Sequence, residues 1–189
     1  SLTPEQLQRR KERFEKKQDK KDSFLAMTPD ERQKFKEDNR TAKVEKRKRF
    51  EYLNNNLTET IPDTIGHLII DGNNMRGGGP RRHSRNVIIN NVTDIVKESP
   101  SLQLTSKTVY FDHKPGKYEP ADGIEVKFSG DVEADDLIVK EVEEVVKDRP
   151  VMVVTSDREL GARILEAGGN VMKNGRFNQL NPVPLKHGH

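Results

Sequence analysis

His67-Leu68-Ile69-Ile70-Asp71-Gly72-Asn73-Asn74 is the stretch on which the fold turns. Its first half is a short apolar run. Its second half is a cluster of residues that favour turns. The pair reads as a buried strand that stops at Asp71. Downstream, Arg85 to Lys97 places Val87, Ile88, Val92, Ile95 and Val96 at helical spacing. Lys107 to Phe111 reads as a second strand ending at Asp112, and Gly123 to Phe128 alternates like a third. Val132 to Lys147 has helical periodicity and is followed by Pro150. Val151 to Thr155 is the clearest buried strand and ends at Ser156-Asp157. Arg158 to Ala167 is helical and is stopped by Gly168-Gly169, with a short strand expected over 170–172. Strands that alternate with helices specify an α/β domain with a largely parallel sheet.

In such open sheets, sites form outside the carboxyl ends of the strands. Three strands here stop at an aspartate: Asp71, Asp112 and Asp157. A fourth acidic group, Glu133-Ala134-Asp135-Asp136, opens a helix that follows another strand. All four are expected at one edge. Each acid alone also suits a turn or a helix cap, and Asp157, Asp131 and Glu133 are placed to cap the helices after them. Taken together, the carboxylates would repel one another and raise each other's pKa unless a cation neutralised them. Oxygen-only ligands suit Mg2+ or Mn2+. Such an ion activates water and stabilises a leaving oxygen in phosphodiester hydrolysis. The acidic cluster is therefore expected to hold one or two such cations.

No competing chemistry stands out. The chain has no cysteine, which excludes disulfides, thiol nucleophiles and thiolate zinc sites. Ser129 and Ser156 lack an evident histidine partner. His67, His83 and His113 are isolated, and His187 and His189 flank Gly188 in a terminal tail. The basic Arg76-Gly77-Gly78-Gly79-Pro80-Arg81-Arg82 loop after the first strand reads either as a phosphate-contacting loop or as an ordinary flexible one. It lacks the Lys-Ser/Thr of a nucleotide phosphate loop.

The composition divides the chain. Of 189 residues only 31% are apolar, against about 45–50% in an ordinary domain. Residues 1–60 hold 17 of the 34 Lys and Arg but 12 of the 31 Asp and Glu, so the basic excess lies there. Residues 1–60 read as a charged helical arm and linker, and 61–189 as the folded domain. Thr3-Pro4-Glu5-Gln6 and Thr28-Pro29-Asp30-Glu31 each read as a capped helix start. The helices that follow lack a wide apolar stripe. Lys43, Lys46, Arg47, Lys48 and Arg49 are candidate phosphate contacts, the alternative being solvated helix stabilised by pairs such as Glu12–Lys16. No run approaches a membrane span, the polar opening residues show no secretory leader, and an intracellular place is expected, in cytoplasm or in a mitochondrion or chloroplast.

Four motifs in order carry a resemblance: Ile69-Ile70-Asp71-Gly72-Asn73-Asn74-Met75, Phe111-Asp112, Glu133-Ala134-Asp135, and Val153-Val154-Thr155-Ser156-Asp157-Arg158-Glu159. Over roughly residues 66–175 the chain resembles the NYN branch of the PIN-like nucleases, most closely its YacP-type members. The resemblance implies a PIN-like central parallel sheet flanked by helices, here preceded by the charged helical arm. It implies Mg2+- or Mn2+-dependent endoribonuclease activity, with RNA and the ribosome or another ribonucleoprotein as partners. It makes Asp71, Asp135 and Asp157 the metal-binding and catalytic acids. Asn74 would hold the loop or substrate, and Asp112, Glu133 and Asp136 would support. Arg76, Arg81 and Arg82 would contact RNA. Asn73 stands where the family has Tyr, the Gly77-Gly78-Gly79 insert is long, and the arm has no counterpart in the family's core. The competing expectation is a non-catalytic RNA-binding or structural subunit of a ribonucleoprotein, such as an organellar ribosome. A generic nucleotide-binding domain ranks behind both.

Overall fold

The computed structural model describes residues 2–180, so His187 and His189 lie outside the described residues. The chain forms two compact units that part between Lys48 and Arg49.

The first unit is helical. Helix α1 spans Pro4–Ala26 and helix α2 spans Pro29–Asn55. Both open with the expected capping box. Thr3 Oγ1 accepts from the Gln6 N–H at 3.2 Å while Gln6 Oε1 accepts from the Thr3 N–H at 2.9 Å. Thr28 and Glu31 make the same reciprocal pair at 3.2 and 3.0 Å. No residue of α1 is buried. Its helicity rests on the cap and on i,i+4 pairs such as Arg9–Glu5 at 2.6 Å. Glu12 accepts from Gln8 rather than pairing with Lys16. At the corner, the Phe24 and Phe35 rings meet at a tilt with centroids 5.8 Å apart, and Arg32 donates to the carbonyls of Phe24 and Leu25.

The second unit begins inside α2 rather than at residue 61. Leu53 is 2% exposed and belongs to the domain core. It fits there because Gly161 leaves room: a Cβ on Gly161 would meet Leu53 at 3.0 Å. Beyond the linker come β1 (His67–Asp71), α3 (Gly72–Arg76), α4 (Arg85–Glu98), α5 (Pro100–Gln103), β2 (Ser106–Phe111) and β3 (Glu125–Phe128). The chain continues through α6 (Ala134–Val145), β4 (Val151–Val154), α7 (Arg158–Glu166), β5 (Asn170–Met172) and α8 (Asn174–Gln179). The strands pair in parallel in the order β3-β2-β1-β4-β5. This is the expected α/β architecture, a central parallel sheet flanked by helices.

The central strand β1 is buried along its whole length. Leu68 and Ile70 face one core with Ile88, Val92, Ile95 and Phe111, and Ile69 faces the other with Ile138, Val142, Leu160 and Ile164. A strand covered on both faces needs apolar residues at every position, which explains the unbroken run. The order places the topological switch between β1 and β4, because the chain leaves β1 toward β2 on one side and returns through β4 on the other. Among the described residues, no helix is long and apolar enough to cross a membrane.

Candidate active site

The acids expected at one edge do gather. A cavity of about 480 Å3 at the carboxyl ends of the strands is lined by Asp71, Asp112, Asp131, Glu133, Asp135 and Asp157, with Asn73, Asn74 and His113.

Asp71 is the most deeply placed, at 3% exposed. It ends β1 and caps α3, its Oδ1 accepting from the Asn74 N–H at 3.3 Å. Its Oδ2 accepts from the Thr155 hydroxyl at 2.9 Å across the switch point. Gly72 makes this placement possible. A Cβ there would lie 2.5 Å from the Phe111 ring and from the Tyr110 carbonyl oxygen. Burial raises the Asp71 carboxyl to about 6, the two hydrogen bonds hold it down in part, and the nearby Asp135 and Asp157 push it up further.

Asp157 sits just past β4 and caps α7, accepting from the Leu160 N–H at 3.0 Å. Its own N–H donates to Thr155 Oγ1 at 3.1 Å. Thr155 therefore links both acids. Asp135 stands in the first turn of α6. Its pKa is also raised, by burial first and then by Asp157, Glu133 and Asp112, with Arg163 opposing. Glu133 occupies the cap position of α6 but makes no capping bond. The cap comes from Asp112, whose Oδ1 accepts from the Ala134 N–H at 3.1 Å and from the Ser129 hydroxyl at 3.4 Å. Asp112 thus fixes the start of the helix that carries Asp135. Asp136 turns away from the cavity and pairs with Arg163 at 2.9 Å.

Asn74 ties three loops together. Its Oδ1 accepts from the Ser156 N–H and from Asn174 Nδ2, both at 2.8 Å. His113 adopts the left-handed region at φ 66, a conformation uncommon for a side-chain-bearing residue outside special sites.

The donors are all hard oxygens, which suits a divalent cation, and their mutual repulsion is the electrostatic situation that such an ion relieves. Among the described residues, however, no three acidic or histidine side chains approach closely enough to form a metal-holding group as they stand. Both Asp71 oxygens are engaged by Asn74 and Thr155.

The basic residues divide. Arg82 reaches Asn73 at 3.5 Å, on the rim of the cavity, and Arg81 is exposed beside it in the 3-10 turn Gly79–Arg81. Arg76 holds its own loop through the His83 carbonyl at 2.8 Å, and burial, with Arg82 and Arg85 nearby, lowers its pKa. Lys43, Lys46, Arg47 and Lys48 are exposed and belong to the first unit. Arg49 belongs to the second, where it pairs with Glu166 at 2.8 Å and Glu159 at 3.8 Å.

Sequence reasoning missed Thr155, Ser129, Asn174 and Arg85 as parts of the site's frame. Arg85 lies over Phe111 and Phe128 at 5.5 and 4.8 Å. Thr155 precedes the Ser156-Asp157 pair directly, so its position was visible and its role was not. A second polar cluster, also missed, lies under α6. Glu141 accepts from Tyr110 at 3.0 Å and Lys127 at 2.6 Å, and bonds His67 at 3.0 Å. Burial alone would raise Glu141, but these bonds outweigh it and hold the carboxyl at about 2.

The YacP-like NYN domain profile matches residues 68–180. A crystal structure of a mutant of Rae1 (YacP) from Bacillus subtilis is similar, with 21% identity, a TM-score of 0.49, and coverage of 61% of this chain and 74% of that chain. No curated protein sequence matches the chain significantly. The profile spans more than half of the chain, so the chain belongs to the YacP-like NYN domain family.

Proposed function

We propose that this YacP-like NYN domain protein is a divalent-cation-dependent endoribonuclease, with the acid cavity between β1 and β4 as its centre. The observation that supports this most is the convergence of Asp71, Asp135 and Asp157 on one cavity, where burial and mutual repulsion raise the pKa of Asp71 and Asp135. Structural acids are usually paired with cations, whereas Asp157 raises the pKa of both Asp71 and Asp135.

In this reading Asp71, Asp135 and Asp157 would hold Mg2+ or Mn2+. When bound, the ion supplies charge neutralisation and an activated water for phosphodiester hydrolysis. The chain's own groups do the rest. Thr155 orients the Asp71 carboxylate and braces the Asp157 backbone. Asp112 sets the start of α6 and with it Asp135. Asn74 fixes the loop after β1 against the loop after β4, so the acids keep their spacing. Arg81 and Arg82 stand on the rim where a substrate phosphate would approach the otherwise repulsive acidic cavity. The basic arm adds a sequence-independent attraction to RNA or to a ribonucleoprotein particle such as the ribosome.

A second reading is a non-catalytic RNA-binding or structural subunit of a ribonucleoprotein. The engagement of both Asp71 oxygens within the protein favours it. The two readings part on cleavage of labelled single-stranded and structured RNA in Mg2+ or Mn2+, with EDTA as control. Metal-dependent internal cuts support the enzyme. Binding without cuts supports the subunit.

A further inference from the structure

A second cavity, of about 450 Å3, opens beside β5 and is lined by Thr58, Ser156, Lys173, Gly175, Arg176 and Gln179, among others. The chemistry assigned above does not use it. It shares a wall with the acid cavity. Asn74 lines the acid cavity, Ser156 lines the second, and the Ser156 N–H donates to Asn74 Oδ1 at 2.8 Å. Asn174 closes the wall, donating through Nδ2 to Asn74 and through its backbone N–H to Ser156 Oγ at 3.1 Å. Consecutive residues of one loop, Ser156 and Asp157, thus face different cavities. Because β5 pairs with β4, the second cavity lies one strand along the same carboxyl edge. Two strand spacings, about 10 Å, separate β1 from β5, a distance within reach of a short single-stranded segment.

The two cavities differ in charge. Carboxylates dominate the first. The second carries two cations, Lys173 and Arg176, against one acid, Glu59. Glu59 neutralises only part of this, since it sits 3.7 Å from Arg176, whose Nε also donates to the Glu59 carbonyl. Lys173 is exposed and has no ion-pair partner among the described residues. Around Lys173 stand hydroxyl and amide groups, from Thr58, Ser156 and Gln179, of the kind that meet a ribose or a base edge.

We propose that this cavity is a nucleotide subsite for single-stranded RNA. It takes a nucleotide further along the strand whose phosphate enters the acid cavity, with its own phosphate on Lys173 and Arg176. The inference rests on the RNA-acting reading above and adds a direction to it. The strand runs along the sheet edge from the Arg81-Arg82 rim, over the acids, to β5.

The test is binding of a fluorescently labelled single-stranded RNA to the full chain in EDTA, titrated with salt. The proteins compared are wild type, Lys173→Ala, Lys173→Arg and Lys147→Ala. Lys147 is exposed and lies between α6 and β4, at the opposite edge of the sheet. Lys173→Ala should weaken binding about fivefold at 0.1 M salt and reduce the log–log salt slope by about 0.7, as loss of one phosphate contact does. Lys173→Arg should restore both, and Lys147→Ala should change neither. Equal affinity and slope for wild type and Lys173→Ala would overturn the subsite, as would an equal loss in Lys147→Ala. The assay needs no cleavage. A chain that never cuts RNA but loses binding in Lys173→Ala removes the enzyme and keeps the subsite. A chain that cuts RNA and ignores Lys173→Ala does the reverse. A wild-type chain that binds no RNA overturns both.

Discussion

The Thr155 hydroxyl donates to Asp71 Oδ2 at 2.9 Å while its oxygen accepts from the Asp157 N–H at 3.1 Å. One short side chain therefore spans the switch between β1 and β4 and holds two acids on either side of it. Thr155→Val keeps the shape and removes both bonds. It leaves the Asp157 N–H without its acceptor, which costs roughly 1–3 kcal/mol. Loss of the hydroxyl also raises the Asp71 pKa further. RNA cleavage should fall about 10- to 100-fold, the range for loss of groups that orient ligating residues, with its acid limb moved to higher pH. Denaturant melts and a pH–rate profile check both.

The raised pKa of Asp71 makes a signed stability prediction. The folded carboxyl is pushed up to about 6 from its ordinary 3.8. Between those values the native state holds a proton that the unfolded state has released, so stability falls as pH rises through this window. The full difference is about 3 kcal/mol. Asp71→Asn removes the cost. In EDTA it should be more stable than wild type at pH 7.5, with the difference shrinking toward pH 4. Mn2+ should stabilise wild type and have little effect on the variant. Equal melting curves across this range would contradict the assignment.

Glu141 behaves with the opposite sign. Its folded pKa is held at about 2, below the ordinary 4.5 of a glutamate. Its stabilisation is complete above pH 4.5 and is lost as pH falls toward 2. Glu141→Gln should lower stability at pH 7 and flatten the acid limb of the wild-type stability curve between those values, read by chemical denaturation at each pH.

Gly72 is a steric requirement of the site. With Phe111 and the Tyr110 carbonyl 2.5 Å from a new Cβ, Gly72→Ala must displace either the ring or the loop that carries Asp71. A loss of about 1–3 kcal/mol or more is expected from thermal unfolding, with cleavage falling beyond what the unfolded fraction accounts for.

The arm can be removed cleanly only up to Lys48, because Leu53 is a core residue. Deleting residues 1–48 should leave the melting temperature of the domain nearly unchanged. It should lower RNA affinity and reduce its salt slope. On α2 the spacing of Lys36, Arg40, Lys43 and Arg47 puts four cations on one face, so neutralising those four should reproduce most of the effect. An unchanged slope would make the arm solvated helix.

Much of the fold was legible because its signals are local. The apolar run before Asp71 and the one before Ser156 became β1 and β4, and the helices from Arg85 and Arg158 begin at those residues. The acids were legible as a set because parallel strands must end on the same edge. What was hidden depended on tertiary contact. Asp112 rather than Glu133 caps α6, and that bond spans 22 positions of sequence. Arg49 stands in a basic run, but its partners Glu159 and Glu166 lie more than a hundred residues away. The burial of Leu53 was hidden because it is the one buried residue of a charged helix, too weak a pattern to reveal a buried face. The Lys173–Arg176 cavity needed α8, which is too short to show periodicity.

The most direct measurement is the rate of internal cleavage of a labelled RNA by the full chain as Mn2+ is titrated. RNA binding is measured in parallel, for wild type and for Asp71→Asn. The account predicts Mn2+-dependent cuts by wild type, a loss of a thousandfold or more on the order expected when a metal-holding acid is removed, and RNA binding retained by the variant. Equal RNA binding by both proteins with no cuts by either at any Mn2+ concentration would contradict it.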